Sequence, residues 1–339
     1  MKYLLGRRGM EITFGEKEIP VPGYQEVLVR VSACGVCGSD LHLLQESREW
    51  TPLGHEFSGE VAAIGPGVTG LGMQDHVVVE DVTGCGRCIN CKNGYPQLCT
   101  GKIGLNGQSG MGEYVCVHER MLNKYEGISA AAATLTEPLA VCINTYLTAG
   151  VPMEGNVVIF GLGPLAVMTA ALARHYGAGD VVCVGSRQGT FRNQVREDAA
   201  LAFGADAVLY MSAPGWEERL KGKMRGPIHS IIVTSPPGTL PAALKLADYG
   251  TKIVPIGLDM GCRSEAVIDV DRLIMNKNPI LPFLAEPANK FPLSVEMLRR
   301  QVIDAQKLIT HRIAFTDAAG LKELFEQDNG VIKAVLTIH

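Results

Sequence analysis

The sequence predicts an α/β protein in two parts: a barrel-like region of short strands, then a doubly wound parallel sheet. Three observations carry this. Residues 1–150 hold short β-type segments punctuated at regular intervals by glycine and proline. From about residue 151, apolar strand-length runs alternate with amphipathic segments, the pattern of a parallel sheet with right-handed crossovers. A glycine-rich turn, "GLGPLA" (161–166), joins the first of those strands to a long apolar run.

In the first part the strand candidates are 26–31, 56–64, 76–79 and 113–117. In the second they are 157–160, 181–184, 207–210, 230–234 and 252–256. Residues 167–176, 194–203 and 240–249 read as helices between them. No internal repeat or low-complexity tract interrupts the chain.

Four cysteines, Cys85, Cys88, Cys91 and Cys99, lie in one short polar loop. Two-residue gaps let successive thiolates point at one centre, and metal–sulfur bonds of about 2.3 Å require such short hops. Gly84, Gly86, Asn93, Gly94 and Pro96 supply turn chemistry. The spacing predicts a four-thiolate zinc, closed to substrate and therefore structural. A disulfide cluster is the weaker reading.

A second cluster lies upstream. Cys34, Cys37, Ser39, Asp40 and His42 are followed by Gly54, His55 and Glu56. Cys37, His55 and one later residue suit a catalytic zinc with an open position. Cys34 and Cys37 alone would also suit a redox Cys-x-x-Cys pair, a reading weakened by the ligands that follow.

The turn Gly161, Leu162, Gly163, Pro164, Leu165 is a G-x-G-x-x-A fingerprint, with Ala166 in place of the third glycine. It follows a strand and opens a helix. Its glycines allow a tight turn and close backbone approach to a pyrophosphate at the helix N-terminus.

Together these features resemble the zinc-containing medium-chain dehydrogenase/reductase family, in particular its polyol, sugar and threonine dehydrogenases. The resemblance covers nearly the whole chain. It rests on "GHEFSGEV" (54–61), the four-cysteine lobe, "GEYV" (112–115), "EPLAV" (137–141), "GLGPLA" (161–166) and "FGAD" (203–206), all in family order. "LITHRIAFTD" (308–317) and "VIKAVLTI" (331–338) resemble the family's ending.

The resemblance implies a GroES-like β-barrel catalytic domain at 1–150, with 285–339 returning to it, and a Rossmann domain at 151–284. It implies two zinc ions per chain and a homodimer or homotetramer. Cys37 and His55 become zinc ligands and Asp40 the carboxylate that orients His55. Ser39 takes the substrate proton, His42 passes it to solvent, and Glu56 is a near-zinc carboxylate. Glu137 matches the third ligand of the polyol branch, where the alcohol dehydrogenase branch has cysteine; Cys142 is the alternative donor. A hard oxygen ligand in place of a thiolate makes the zinc a stronger Lewis acid.

Members selective for NAD carry an acid after the second strand. Here that strand ends in Gly185, Ser186 and Arg187, without a carboxylate. Arg187 can pair with a 2′-phosphate, so NADP is favoured over NAD. The expected reaction is hydride transfer between NAD(P) and a secondary hydroxyl of a polyol, sugar or cyclitol. An amino-alcohol dehydrogenase of the threonine type shares Glu137 and is the alternative. A non-catalytic cofactor-binding protein would have no use for a proton relay. Asn106, Glu286, Asn289 and Lys290 are candidate polar contacts to substrate.

Composition fits this reading. A net charge of −4 gives no sign of nucleic-acid binding. The N-terminus lacks the apolar core of a signal peptide, and at least five of the ten cysteines have metal roles, so a cytoplasmic protein is expected. Residues 156–173 carry no charge, but Gly161, Gly163 and Pro164 divide them into strand and helix rather than a membrane span.

Overall fold

The computed structural model describes residues 1–259, 264–282, 289–326 and 329–339. The first strands are β1 (Lys2–Arg7), β2 (Glu11–Glu16), β3 (Glu26–Gly35), β4 (Thr51–Pro52), β5 (Glu56–Ile64) and β6 (His76–Val79). Helix α1 (Gly38–Glu46) lies between β3 and β4. Strands β7 (Val82–Thr83) and β8 (Ile103–Gly104) flank the cysteine loop and its helix α2 (Ile89–Lys92). Strands β9 (Tyr114–His118) and β10 (Leu122–Lys124) follow, then α3 (Ala130–Ala133) and α4 (Thr136–Ala149). Next come β11 (Asn156–Phe160), α5 (Pro164–His175), β12 (Val181–Gly185), α6 (Phe191–Ala202) and β13 (Ala207–Tyr210). After them come α7 (Trp216–Lys223), β14 (Ile228–Val233), α8 (Leu240–Leu246) and β15 (Lys252–Pro255). Strands β16 (Ile309–Ala314) and β17 (Lys333–Thr337) lie near the C-terminus.

The chain divides into two compact units. One comprises Met1–Ala140, Glu286–Gln327 and Lys333–His339; the other comprises Val141–Ala285 and Asp328–Ile332.

In the first unit β3 is the hub, pairing antiparallel with β5, β9 and β17. Its length follows from this. The sequence suggested a strand over residues 26–31; Ala33, Cys34 and Gly35 continue it, paired with β5 on one side and β17 on the other. Gly35 thereby faces Glu56 on one side and Val335 on the other. A smaller sheet, β2-β1-β4, begins with a hairpin that the sequence pattern did not reveal. Val78, Tyr125, Ala133, Ala140 and Phe291 form a buried cluster in this unit.

In the second unit five parallel strands run in the order β13-β12-β11-β14-β15. That is the doubly wound order, with its reversal between β11 and β14. Every residue of β11 and β12 is buried. A strand covered on both faces has no reason to alternate, so both read as unbroken apolar runs. Helix α5 starts at Pro164 rather than 167, because proline fits the first helical position, where no N–H is needed. The expected helix 240–249 ends at Leu246. Beyond it Asp248 accepts a hydrogen bond from Ile228 N (2.8 Å) and donates its own N–H to Thr251 Oγ1 (2.9 Å). Strand β14 starts two residues earlier than the sequence suggested, where Ile228 pairs with Asn156 of β11. Among the described residues no helix is long and apolar enough to cross a membrane.

Candidate metal and cofactor sites

The site in the first unit is built where β3 ends and β5 begins. Cys37 is the extended residue that caps α1 (φ −102°, ψ 155°). The buried Asp40 accepts hydrogen bonds from Cys37 N (2.9 Å) and Gly54 N (3.0 Å) on its two oxygens. One carboxylate thus fixes the backbone at Cys37 and the backbone leading into His55. Gly54 has φ +83°, and a Cβ there would lie 2.6 Å from Met111 and 2.7 Å from Cys34 Sγ, so the turn admits only glycine.

Cys37, His55 and Glu56 each bring a donor atom within 4.8 Å of the others. Burial alone would lower the His55 pKa. The hydrogen bond and charge of Cys37, with Glu137 and Asp40 nearby, instead hold it well above the ordinary histidine range. Glu56 forms an ion pair with Lys333 on β17, and the two side chains are only 1% and 2% exposed. Glu137, in the first turn of α4, stands outside the compact trio. Burial pushes its carboxyl up to about 8, opposed by His55 and reinforced by Asp81 and Glu56. Beside it Thr136 Oγ1 is buried without a hydrogen-bond partner.

A thiol, an imidazole and crowded carboxylates are the donor set of a zinc site that keeps a position open. A bound divalent charge would offset the burial and the repulsion from Asp81 and Glu56 that raise the Glu137 carboxyl.

The neighbouring candidates fall as follows. Ser39 and His42 lie on α1, half-buried and three residues apart, hence neighbours on one helical face. Cys34 is wholly buried. Desolvation, with the charges of Asp40 and Glu56, raises its pKa well above the usual thiol value, and this burial argues against a reactive Cys-x-x-Cys pair. Cys142 is buried with its sulfur 3.4 Å from Leu165 O, and it belongs to neither metal-capable group among the described residues. Asn106 and Asn289 are exposed in left-handed turns (φ 52° and 64°), a conformation asparagine tolerates. Lys290 precedes the helix Phe291–Arg299. Glu286 lies outside the described residues.

The four other cysteines converge in the same way. Donor atoms of Cys85, Cys88, Cys91 and Cys99 lie within 4.8 Å of one another, and no disulfide joins them. Backbone amides converge on the sulfurs: Cys85 N and Gly101 N donate to Cys99 Sγ (3.2 and 3.3 Å), and Cys88 N donates to Cys85 Sγ (3.4 Å). Amides of Cys91 and Thr100 lower the Cys88 thiol to about 6. Amide donors favour the thiolate, the form that binds metal. Four thiolates fit a closed zinc site.

In the second unit "GLGPLA" joins β11 to α5. Gly161 has φ +122°, and a Cβ there would run into the Thr234 hydroxyl. Gly163 caps α5, with open space where its Cβ would be. The first N–H groups of a twelve-residue helix therefore border a space free of side chain. Leu162 is buried, while Pro164 and Leu165 are half-buried at the helix start. At the end of β12, Gly185 is buried, and Ser186 and Arg187 are exposed. Asn193 Nδ2 donates to Arg187 O (2.5 Å), tying this loop to α6. The turn fits a dinucleotide's pyrophosphate, and the exposed basic end of β12 fits its adenosine half.

Two family models match: the alcohol dehydrogenase GroES-like domain over residues 23–127 and the zinc-binding dehydrogenase domain over 164–300. The starvation-sensing protein RspB of Escherichia coli K12 is 30% identical over 337 residues, covering 97% of this chain and 96% of that protein. The chain belongs to the zinc-containing medium-chain dehydrogenase/reductase family. An L-threonine 3-dehydrogenase of Shewanella sp. W3-18-1 is 28% identical to this dehydrogenase over 88% of each chain. The crystal structure of RspB from E. coli CFT073, complexed with NADH, superposes with a TM-score of 0.88 at 28% identity over 100% of this chain and 99% of that one. A zinc-binding dehydrogenase of Sinorhizobium meliloti 1021, bound to NADP, gives 0.85 at 26% identity over 99% of each.

Two residues of this dehydrogenase escaped sequence reasoning. Lys333 is a single charge in the apolar run 331–338, and a buried lysine needs a partner; that was the available signal. Tyr210 ends β13 beside Gly185, a cross-strand relation that no local pattern reveals.

Proposed function

We propose that this dehydrogenase transfers a hydride between NADP and a secondary hydroxyl of a polyol, sugar or cyclitol. The observation that carries the proposal is the compact trio Cys37, His55 and Glu56, set beside a helix turn bearing Ser39 and His42. Zinc would be held by Cys37, His55 and a carboxylate, Glu137 or Glu56, with a second zinc on Cys85, Cys88, Cys91 and Cys99. When bound, the metal supplies Lewis acidity that makes a hydroxyl proton acidic near neutral pH, and the nicotinamide supplies the hydride acceptor.

The chain's own residues do the rest. Ser39 takes the hydroxyl proton and His42, its neighbour on α1, hands it to solvent. Asp40 holds the backbones of Cys37 and Gly54, the residue before His55, in register by the two hydrogen bonds it accepts from their amides. Lys333 neutralises Glu56 and holds that carboxylate in place. The amides at the start of α5, with Gly161 and Gly163, bind the pyrophosphate. Ser186 and Arg187 bind the 2′-phosphate, which is why NADP is the preferred cofactor. A homodimer or homotetramer belongs to the same reading and rests on the family resemblance.

The similarity to threonine 3-dehydrogenases supports a second reading, an amino-alcohol substrate. A screen of polyols, aldoses, cyclitols and amino alcohols with both cofactors separates the two. Turnover of polyhydroxylated substrates with NADP supports the first reading; turnover confined to threonine-like substrates replaces it.

A further inference from the structure

We propose that Tyr210 is a specificity-determining residue that acts through position 185: its ring fills the volume a side chain there would need, and so keeps a carboxylate off the end of β12. The inference rests on the NADP reading above and names the device behind it.

Gly185 and Tyr210 are register partners at the ends of adjacent parallel strands. A Cβ added to Gly185 would lie 2.7 Å from Leu162 Cδ1 and 2.8 Å from both Cδ1 and Cε1 of Tyr210. These separations are well inside van der Waals contact, so something would have to move. Gly185 is not among the residues of positive φ, so it is space rather than backbone conformation that requires glycine here.

Leu162 could shift a methyl group, but the tyrosine ring is held. It is 4% exposed. Its hydroxyl donates to Glu197 Oε2 (2.7 Å) and lies 3.4 Å from Asn193 O, both on α6. Asn193 also fixes the neighbouring loop, donating Nδ2 to Arg187 O (2.5 Å) and its N–H to Thr190 Oγ1 (3.1 Å). Two further bonds latch the loop to the end of β13: Met211 N to Gly185 O (2.9 Å) and Ser212 N to Ser186 O (3.1 Å). One framework thus closes position 185 and presents Ser186 and Arg187. An acid at 185, the usual device for binding ribose hydroxyls, can be introduced only by displacing the ring that stands there.

The test compares wild type, Gly185→Asp, Tyr210→Ala and the double variant. Thermal melting and fluorescence titration with NADPH and NADH are the readouts. Gly185→Asp alone is expected to melt roughly 2–10 °C lower, the effect of overpacking a well-filled site. In the Tyr210→Ala background the same substitution is expected to lower the melting temperature by less than half as much. The double variant is expected to shift the NADPH-to-NADH affinity ratio toward NADH by about tenfold or more, the scale of a charge-assisted hydrogen bond gained or lost. Tyr210→Ala alone should hold the ratio within about threefold, well short of that scale. Should Gly185→Asp fail to fold, Gly185→Ala in both backgrounds gives the same melting comparison. Equal melting losses in the two backgrounds overturn the proposal. So does a Gly185→Asp single variant whose ratio moves as far as the double variant's. A wild type that binds NADH more tightly than NADPH overturns the NADP reading separately, and the melting comparison then still decides whether Tyr210 closes position 185.

Discussion

Lys333 and Glu56 form an ion pair with both side chains out of solvent, over a glycine, Gly35, that leaves them room. A Cβ on Gly35 would run into the Glu56 carboxylate and lie 3.3 Å from Lys333 Cε. The pair joins β5 to β17, both neighbours of β3, and so ties the metal-proximal end of β5 to the C-terminal strand. Neither partner could be left alone without an uncompensated buried charge.

Lys333→Met should therefore be strongly destabilising, by about 3–5 kcal/mol, and should lower the melting temperature by about 10 °C. Combining it with Glu56→Gln should recover much of the loss, because the stranded charge is then gone. Thermal melts of the single and double variants check this. A Lys333→Met protein that melts with the wild type would show that Glu56 does not depend on the lysine charge.

The thiolate loop makes a prediction in the metal-free protein. Cys88 is lowered to about 6, chiefly by the Cys91 amide, while desolvation pushes Cys91 up to about 12. After stripping by a chelator at about pH 7, iodoacetamide should modify Cys88 well before Cys91. Zinc-loaded protein should resist at both, and stripping should also lower the melting temperature. Peptide mapping of the alkylated protein reads the order. Equal labelling of the two would refute the amide-stabilised thiolate.

Glu137 gives the pH dependence. Its folded pKa is about 8, against roughly 4.3 for an unperturbed glutamate. Between those values the folded, metal-free protein binds more protons than the unfolded chain. The stabilisation is thus fully present below the unfolded value and is lost as pH rises through the folded one. The melting temperature of metal-free protein should fall between about pH 5 and pH 9, and Glu137→Gln should flatten that fall. An unchanged slope in the variant would mean that Glu137 is already ionised at neutral pH.

Arg187→Ala should weaken NADP binding by roughly 10- to 150-fold and leave NAD nearly untouched, since only NADP carries the 2′-phosphate. Titration of the variant with both cofactors decides this. Equal losses for the two would place Arg187 against the adenine instead.

What the sequence made legible follows from how local each signal is. The four cysteines of the thiolate loop lie in one stretch, so spacing alone brought them together. The apolar runs at β11 and β12 were readable because the doubly wound sheet buries them on both faces. The limits are non-local. The β1–β2 hairpin turns through Gly9 and Met10, both at positive φ, without the Asn-Gly or Asp-Gly signal that marks a tight hairpin. The overlong reading of α8 failed because Asp248 is drawn to Ile228, a tertiary contact. Glu56 could be singled out next to His55, but its partner Lys333 comes from the far end of the chain. The choice between Glu56 and Glu137 as third ligand depends on where β5 and α4 place their carboxylates. The compact trio contains Glu56, whereas the family pattern pointed to Glu137.

That Cys37, His55 and a neighbouring carboxylate hold a catalytic zinc, separate from the thiolate zinc, is tested most directly by metal content and turnover in wild type and His55→Ala. Active wild type should carry two zinc ions per chain. His55→Ala should keep the thiolate zinc, the wild-type circular dichroism and NADPH binding. It should lose roughly a thousandfold or more in turnover of the best substrate, because the Lewis acid is gone. Fully active wild type with a single zinc, or a His55→Ala protein that turns over normally, would contradict the assignment.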